Sequence, residues 1–162
     1  MQRRLRLYLD TSVLGGLFDL EDPKRVALAE ALIEEIKSQK FDAFISPLVL
    51  TEIDKAPQDI RDGLVNIVAQ LPVAVLLETE EVIHLAENYL HEGIIPEKFR
   101  DDARHIAVAT FYKLDGLVSW NYRHMVNLNA RRMVNAVNLK QGYQFIEILS
   151  PEEVLGYGEM ES

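Results

Sequence analysis

Apolar and polar positions along the chain follow two alternating periods. Residues 5–9, Leu-Arg-Leu-Tyr-Leu, place apolar side chains at every second position and predict a strand. Leu28, Leu32 and Ile36, with Ala29 and Ile33 beside them, then recur every three or four residues and predict a helix running to Ser38. Asp22 and Pro23 give that helix an N-cap and a proline at its first position. Residues 43–46 predict a second strand, 48–55 a short helix stopped by Pro57, and 60–70 a further helix. The run 73–77 is apolar without interruption, the pattern of a strand covered on both faces. Thr79 caps a helix that buries Val82, Leu85, Ala86 and Tyr89 and is closed by Gly93. A helix over 96–113, a strand at 117–119, a helix over 131–137 and a strand over 144–149 complete the pattern.

Strands that alternate with helices predict an α/β fold: a three-layer α/β/α sandwich around a parallel sheet of four to five strands, with right-handed crossovers. No repeat or linker divides the chain, so residues 1–150 read as a single domain and 151–162 as a C-terminal tail. A length of 162 residues suits one full core rather than two. The 48% hydrophobic and 27% charged residues separate the chain from disordered sequences. Cysteine is absent, which excludes disulfides and thiolate zinc sites and suits a reducing, cytoplasmic setting. The basic start MQRRLRLYLD has too short an apolar run for a signal peptide, and no stretch approaches the roughly 20 apolar residues of a membrane span. The expectation is a soluble protein with no membrane partner.

A net charge of −9 weighs against broad electrostatic binding of nucleic acid and leaves room only for a local basic rim. In open α/β sheets, sites form beyond the carboxyl ends of the strands, so the polar residues that follow each strand are the ones to weigh. The first strand runs into Asp10, Thr11 and Ser12, a carboxylate with two hydroxyls able to support it. Taken alone, that triplet reads more readily as a helix N-cap. Glu52 follows the second strand, offset from Leu48, Val49 and Ile53, and taken alone reads as a solvated helix residue. Asp101 and Asp102 point about 100° apart on their helix. Asp102 shares a face with His105 and Ile106, whereas Asp101 faces water. The fourth strand delivers Asn121 within DGLVSWNYRH. Carboxylates gathered at one place repel one another unless a cation neutralises them, and oxygen ligands without cysteine point to Mg²⁺ or Mn²⁺.

Four stretches, LYLDTSVLGGLFD, ISPLVLTEI, DDARHIAVAT and DGLVSWNYRHMVN, follow one another over residues 7–127. Together they resemble the PIN domain, the nuclease fold of VapC-type toxins in bacterial and archaeal toxin–antitoxin pairs. The resemblance implies a Mg²⁺- or Mn²⁺-dependent ribonuclease that cleaves single-stranded RNA, with Asp10, Glu52 and Asp102 as catalytic metal ligands. Many PIN domains carry a fourth acidic residue after the fourth strand. Here Asn121 stands there and joins the expected catalytic set with an amide in place of a charge. On this reading Asp10 and Asp102 hold the metal directly, Glu52 is a further ligand or holds its water, and Asn121 orients water or substrate through its carbonyl. The resemblance also implies an antitoxin protein as partner, RNA (single-stranded or structured) as substrate, and a homodimer, for which the helices at 28–36 and 82–89 are candidates, although packing within the chain explains their apolar stripes equally well.

Thr11, Ser12, Arg123 and His124 are the expected substrate-binding residues, the last two on a phosphate near the cut. A surface arginine and a partly buried histidine explain Arg123 and His124 equally well. Trp120 can stack a base, although its place in a strand favours core packing. His105 reads as a hydrogen-bonded core residue. Arg131, Arg132 and Lys140 fit either an RNA contact or an exposed helix face. Two rival functions stand beside the ribonuclease. An aspartyl-phosphate phosphatase needs a second Asp two residues after Asp10, where this chain has Ser12. A catalytically weak PIN-like module that binds RNA or protein needs no hydrolysis at all, and Asn121 is compatible with it.

Overall fold

A computed structural model describes residues 3–161, with side chains placed through residue 157. Five parallel strands lie in the order β3-β2-β1-β4-β5. They are β1 (Arg6–Leu9), β2 (Asp42–Ile45), β3 (Val73–Val75), β4 (Gly116–Val118) and β5 (Glu147–Leu149). Among the described residues, eight α-helices connect and flank them: α1 (Thr11–Gly15), α2 (Pro23–Lys37), α3 (Pro47–Asp54), α4 (Gln58–Gln70), α5 (Glu80–His91), α6 (Arg100–Phe111), α7 (Leu128–Lys140) and α8 (Pro151–Glu161). The expected α/β class and five-stranded parallel sheet are both present. None of the helices described is long and apolar enough to cross a membrane.

The chain steps outward from β1 to β2 and β3, then returns across the sheet to β4 and β5. With right-handed crossovers, this puts α2 on one face and α5, α6 and α7 on the other. The packing agrees: α5 lies against α6 and α7, and α2 against α8. The strand order reverses between β1 and β4, so a crevice opens at their carboxyl ends, the place where such sheets bind ligands. Leu7, Leu9, Leu117 and Val118 fill the sheet centre, with Ile106 and Leu32 packed in the same core.

The predicted caps are realised. Asp22 accepts a hydrogen bond from the Arg25 N–H, and Thr79 one from the Val82 N–H. Gly93, just past α5, has φ +74°, a conformation open to glycine at little cost. The apolar faces of α2 and α5 are spent inside the chain: Leu32, Ile33, Ile36, Val82, Leu85, Ala86 and Tyr89 are all buried. The stripes expected to serve a homodimer are therefore core.

Five predicted elements need correction. β3 is an edge strand, not one covered on both faces; Ala74 and Val75 are exposed, and Leu77 beyond it is 65% exposed. A continuous apolar run says that a strand resists water but not which neighbours it has. The helix expected over 96–113 begins with a 3-10 turn at Glu97–Phe99, and α6 starts only at Arg100. This places Asp102 in the first turn. α7 starts at Leu128 because Asn127 caps it by accepting from the Ala130 N–H. The segment read as a tail is helical: Val154 is buried and α8 packs on α2, while Ser162 lies outside the described residues, as do Met1 and Gln2.

β5 is shorter than the expected 144–149, for a specific reason. Buried Asn135 on α7 accepts from the Ile146 N–H (2.7 Å) and donates to the Ile146 carbonyl (3.0 Å). Its side chain does for Ile146 what a neighbouring strand would do, and the ladder begins at Glu147. Asn135→Ala should strand both backbone groups and lower stability by about 2–4 kcal/mol. Urea denaturation checks this. A change in midpoint smaller than about 0.5 kcal/mol at constant slope would show that water replaces the amide without loss.

Candidate active site

Asp10 leaves β1 with its N–H still bonded to the Val118 carbonyl, which fixes it in the β1–β4 crevice (3.2 Å). It holds the N-cap position of α1, yet its carboxylate caps nothing. Oδ1 instead accepts the Ser12 hydroxyl (2.6 Å) and Oδ2 the Ser119 hydroxyl (2.5 Å). Asp10 is thus the N-cap of α1 by position only, and its carboxylate is supported by hydroxyls instead. Only 5% of Asp10 is exposed, so its charge has lost most of its water. Burial pushes the carboxyl above its ordinary value. The charge of Asp102 adds to that, and the two hydroxyls and the charge of His105 only partly offset it. A cation would relieve this penalty.

α3 brings Glu52 to the same place. Leu48, Val49 and Ile53 anchor its buried face, and Glu52 sits beside them, half-buried. Its Oε1 accepts the Thr11 hydroxyl (2.7 Å) and the His105 Nε2–H (2.6 Å). Burial alone would raise the Glu52 carboxyl. The His105 hydrogen bond and charge, the Thr11 hydroxyl and the Arg104 charge outweigh it and hold the carboxyl below its ordinary value. Thr11 and Ser12 thus spend their hydroxyls on carboxylates. Ser12 also accepts the Trp120 N–H (2.9 Å), so neither residue presents the free donor that a substrate-binding role requires.

α6 presents Asp102, and His105 one turn on. Asp102 Oδ2 accepts from Asn121 Nδ2 (3.0 Å) and His124 Nδ1 (2.9 Å). Asp101 turns away to Arg104, as expected (3.1 Å). His105 is buried and uses both ring nitrogens, with Tyr8 at Nδ1 (2.6 Å) and Glu52 at Nε2. Burial favours the neutral ring, but the Glu52 hydrogen bond and the charges of Asp10, Glu52 and Asp102 raise His105 above its ordinary 6.5. It was read as a core histidine, and it is also the group through which all three carboxylates are electrically joined.

Asn121 is occupied at both ends. Its amide N–H₂ holds Asp102, and its carbonyl accepts the His124 N–H (3.0 Å). The expected role of that carbonyl, orienting water or substrate, gives way to bracing. Ser119 was not singled out, although it follows β4 as Asp10 follows β1; it donates to Asp10 and accepts the Asn121 N–H (2.9 Å). Trp120 lies past β4, buried beneath the Arg25 guanidinium, so packing rather than base stacking describes it. Arg123 is exposed and outside the network.

The donors suit a hard divalent cation: three carboxylates and no thiolate. Glu52 Oε2 and Asp102 Oδ1 accept no hydrogen bond among the described residues. No three His, Cys, Asp or Glu side chains among those residues close into a ready-made cage. Mg²⁺, which keeps several of its waters and reaches some ligands through them, fits such a looser set.

Solved structures share the fold, two of them VapC toxins. One is VapC20 from Mycobacterium tuberculosis, a toxin that cleaves the sarcin-ricin loop: TM-score 0.57, 20% identity, covering 73% of this chain and 92% of that one. The other is VapBC2 from Rickettsia felis bound to a DNA fragment from its promoter: TM-score 0.50, 15% identity, covering 74% and 90%. No family model and no curated protein matches the sequence.

Two outcomes follow from the hydrogen bonds. Asn121→Asp removes the donor to Asp102 and sets two carboxylates against each other, so in chelator it should destabilise by roughly 1–3 kcal/mol. Equal or higher stability in thermal melts would show that the amide is no brace. His105, raised above 6.5, stabilises fully below that pH, and the contribution is lost as pH rises through its folded value. Melting temperature in chelator should fall as pH climbs above 6.5, and His105→Gln should flatten that limb. Identical profiles for the two proteins would place the charge elsewhere.

Proposed function

The chain has the PIN-type fold of the VapC toxins, and from that premise we propose that it is a metal-dependent endoribonuclease, a VapC-like toxin that hydrolyses phosphodiester bonds of single-stranded RNA. The observation that carries the reading is the placing of Asp10, braced by Ser12 and Ser119, Glu52, bonded to buried His105, and Asp102, bonded to Asn121 and His124, around the crevice where β1 and β4 end. Asp10 is buried with the charge of Asp102 beside it, and a charge so placed is costly unless it serves a cation.

Asp10 and Asp102 would hold Mg²⁺ or Mn²⁺, with Glu52 as a further ligand or a holder of its water. When bound, the metal acidifies a water and draws charge from the phosphodiester. The chain's own residues set the geometry. Ser12 and Ser119 fix both oxygens of Asp10. Asn121 and His124 fix Asp102 by one oxygen and leave the other open. His105 and Thr11 do the same for Glu52 and keep it ionised, so that its open Oε2 can orient the attacking water. In-line attack then forms the new oxygen–phosphorus bond as the bond to the leaving ribose oxygen breaks. An antitoxin protein is part of this reading, as the partner that would cover the acidic crevice.

A second reading, a binding module without hydrolysis, draws on the absence of a closed three-residue cage among the described residues. Labelled single-stranded RNA incubated in Mg²⁺, Mn²⁺ or chelator separates the two. Cleavage should appear with metal and vanish in chelator. Asp10→Ala should lose about 100-fold or more, since even outer-shell partners of metals are worth 10–100-fold. Full metal-dependent cleavage by Asp10→Ala overturns the proposal, and RNA binding without cleavage in Mn²⁺ leaves the binding module.

A further inference from the structure

We infer that Lys98, Tyr122 and Arg123 form a binding track for single-stranded RNA along one side of the carboxylate crevice, a reading that rests on the ribonuclease proposal and gives its substrate a direction. A column of stacked groups leads away from Asp102. The His124 imidazole bonds to Asp102 and packs on Phe99, ring centroids 4.3 Å apart. The Lys98 ammonium lies 5.2 Å from the centre of the same Phe99 ring. Arg123 is the chain neighbour of His124.

Charge pairing marks these residues out. Around the column the other cations are used: Arg100 pairs with Glu87 and Glu97, and Arg104 with Glu78 and Asp101. Lys98 and Arg123 are exposed, and neither has a carboxylate partner among the described residues. In a chain of net charge −9, two exposed cations left without a carboxylate on the flank of the crevice offer an anion a place to bind. A polyanionic strand whose scissile phosphate enters the crevice meets that description, with Lys98 and Arg123 on its flanking phosphates. Nε2 of His124 has no partner among the described residues and adds a polar atom to the same flank.

Tyr122 supplies the apolar element. It is 47% exposed on a loop that is otherwise braced. The Asn127 side chain donates to the Tyr122 carbonyl (2.8 Å) and the Arg123 carbonyl (3.1 Å), and the Met125 and Val126 N–H groups both reach the Asn121 carbonyl. The ring is therefore presented by a fixed backbone, as a surface on which a base can stack without ordering the loop.

The test is fluorescence anisotropy of a labelled single-stranded RNA of about 12 nucleotides, in chelator, over a salt series. Lys98→Ala and Arg123→Ala should each weaken binding several-fold at low salt and flatten the log–log salt slope by roughly 0.7. Tyr122→Ala should weaken it by roughly 5- to 100-fold, and Tyr122→Phe should restore it. Lys113→Gln, an exposed cation just before β4 and so at the end of the sheet opposite the crevice, is the control and should change neither quantity. Unchanged slopes for Lys98→Ala and Arg123→Ala, or an equal effect of Lys113→Gln, overturn the inference. The cleavage assay keeps the two proposals apart. If the track variants lose binding and the wild type never cleaves in Mn²⁺, the ribonuclease reading alone fails. If the wild type cleaves and the track variants bind as it does, this inference alone fails.

Discussion

The buried imidazole of His105 is the contact on which the crevice depends. It stands between the Tyr8 hydroxyl inside the sheet and the Glu52 carboxylate at its edge, and so ties the core to the site. Tyr8 is fully buried and burial keeps its phenol protonated, so it remains a neutral hydrogen-bonding group shared with Ser46 (2.7 Å). The chain Ser46–Tyr8–His105–Glu52–Thr11 has two consistent proton arrangements. With a charged imidazole, Nδ1–H donates to Tyr8 and Tyr8 to Ser46; with a neutral one, both of those bonds reverse. In either case Glu52 receives the Nε2–H. The acidic end of the site is held whichever arrangement is populated.

A parallel sheet makes such a constraint necessary. Its carboxyl ends meet where β1 and β4 part, and side chains from four separate elements must be aimed at one point there. Mutual repulsion would spread three carboxylates apart. Hydroxyls and amide donors, each on a short side chain from an adjacent element, hold them instead. Ser12 and Ser119 act on Asp10, Thr11 on Glu52, and Asn121 on Asp102. Such bonds to ionised groups are the stronger kind. They hold in place groups that would otherwise move apart.

What the sequence made legible follows from which rules are local. Caps at Asp22 and Thr79 and the buried stripe of α5 depend on neighbours within one turn, and all appear where expected. The strand-end rule likewise located Asp10 and Asn121, and helix spacing put Asp102 on the face of His105. The rest needed long-range information. Nothing within the run 73–77 tells an edge strand from an inner one, since the difference is whether a second strand lies beside it. Nothing near residue 146 announces that Asn135, eleven residues earlier, takes both its backbone groups. The hydroxyls of Thr11 and Ser12 were visible as supports and were assigned to substrate as well; only the positions of Glu52 and Trp120 decide between the two roles.

Asn121 shows why a residue's departure from a family pattern is a question about its neighbours. A carboxylate after β4 would add charge to the crevice and would have no proton to give Asp102. The amide gives Asp102 a donor and gives the His124 N–H an acceptor, two bonds that one ionised group cannot both make. The site thereby exchanges a fourth negative charge for a fixed Asp102. With His124 held by the same pair of contacts, the loop 121–127 becomes part of the scaffold rather than a rim that folds around a ligand. A preformed loop of that kind loses less entropy when a ligand is bound beside it.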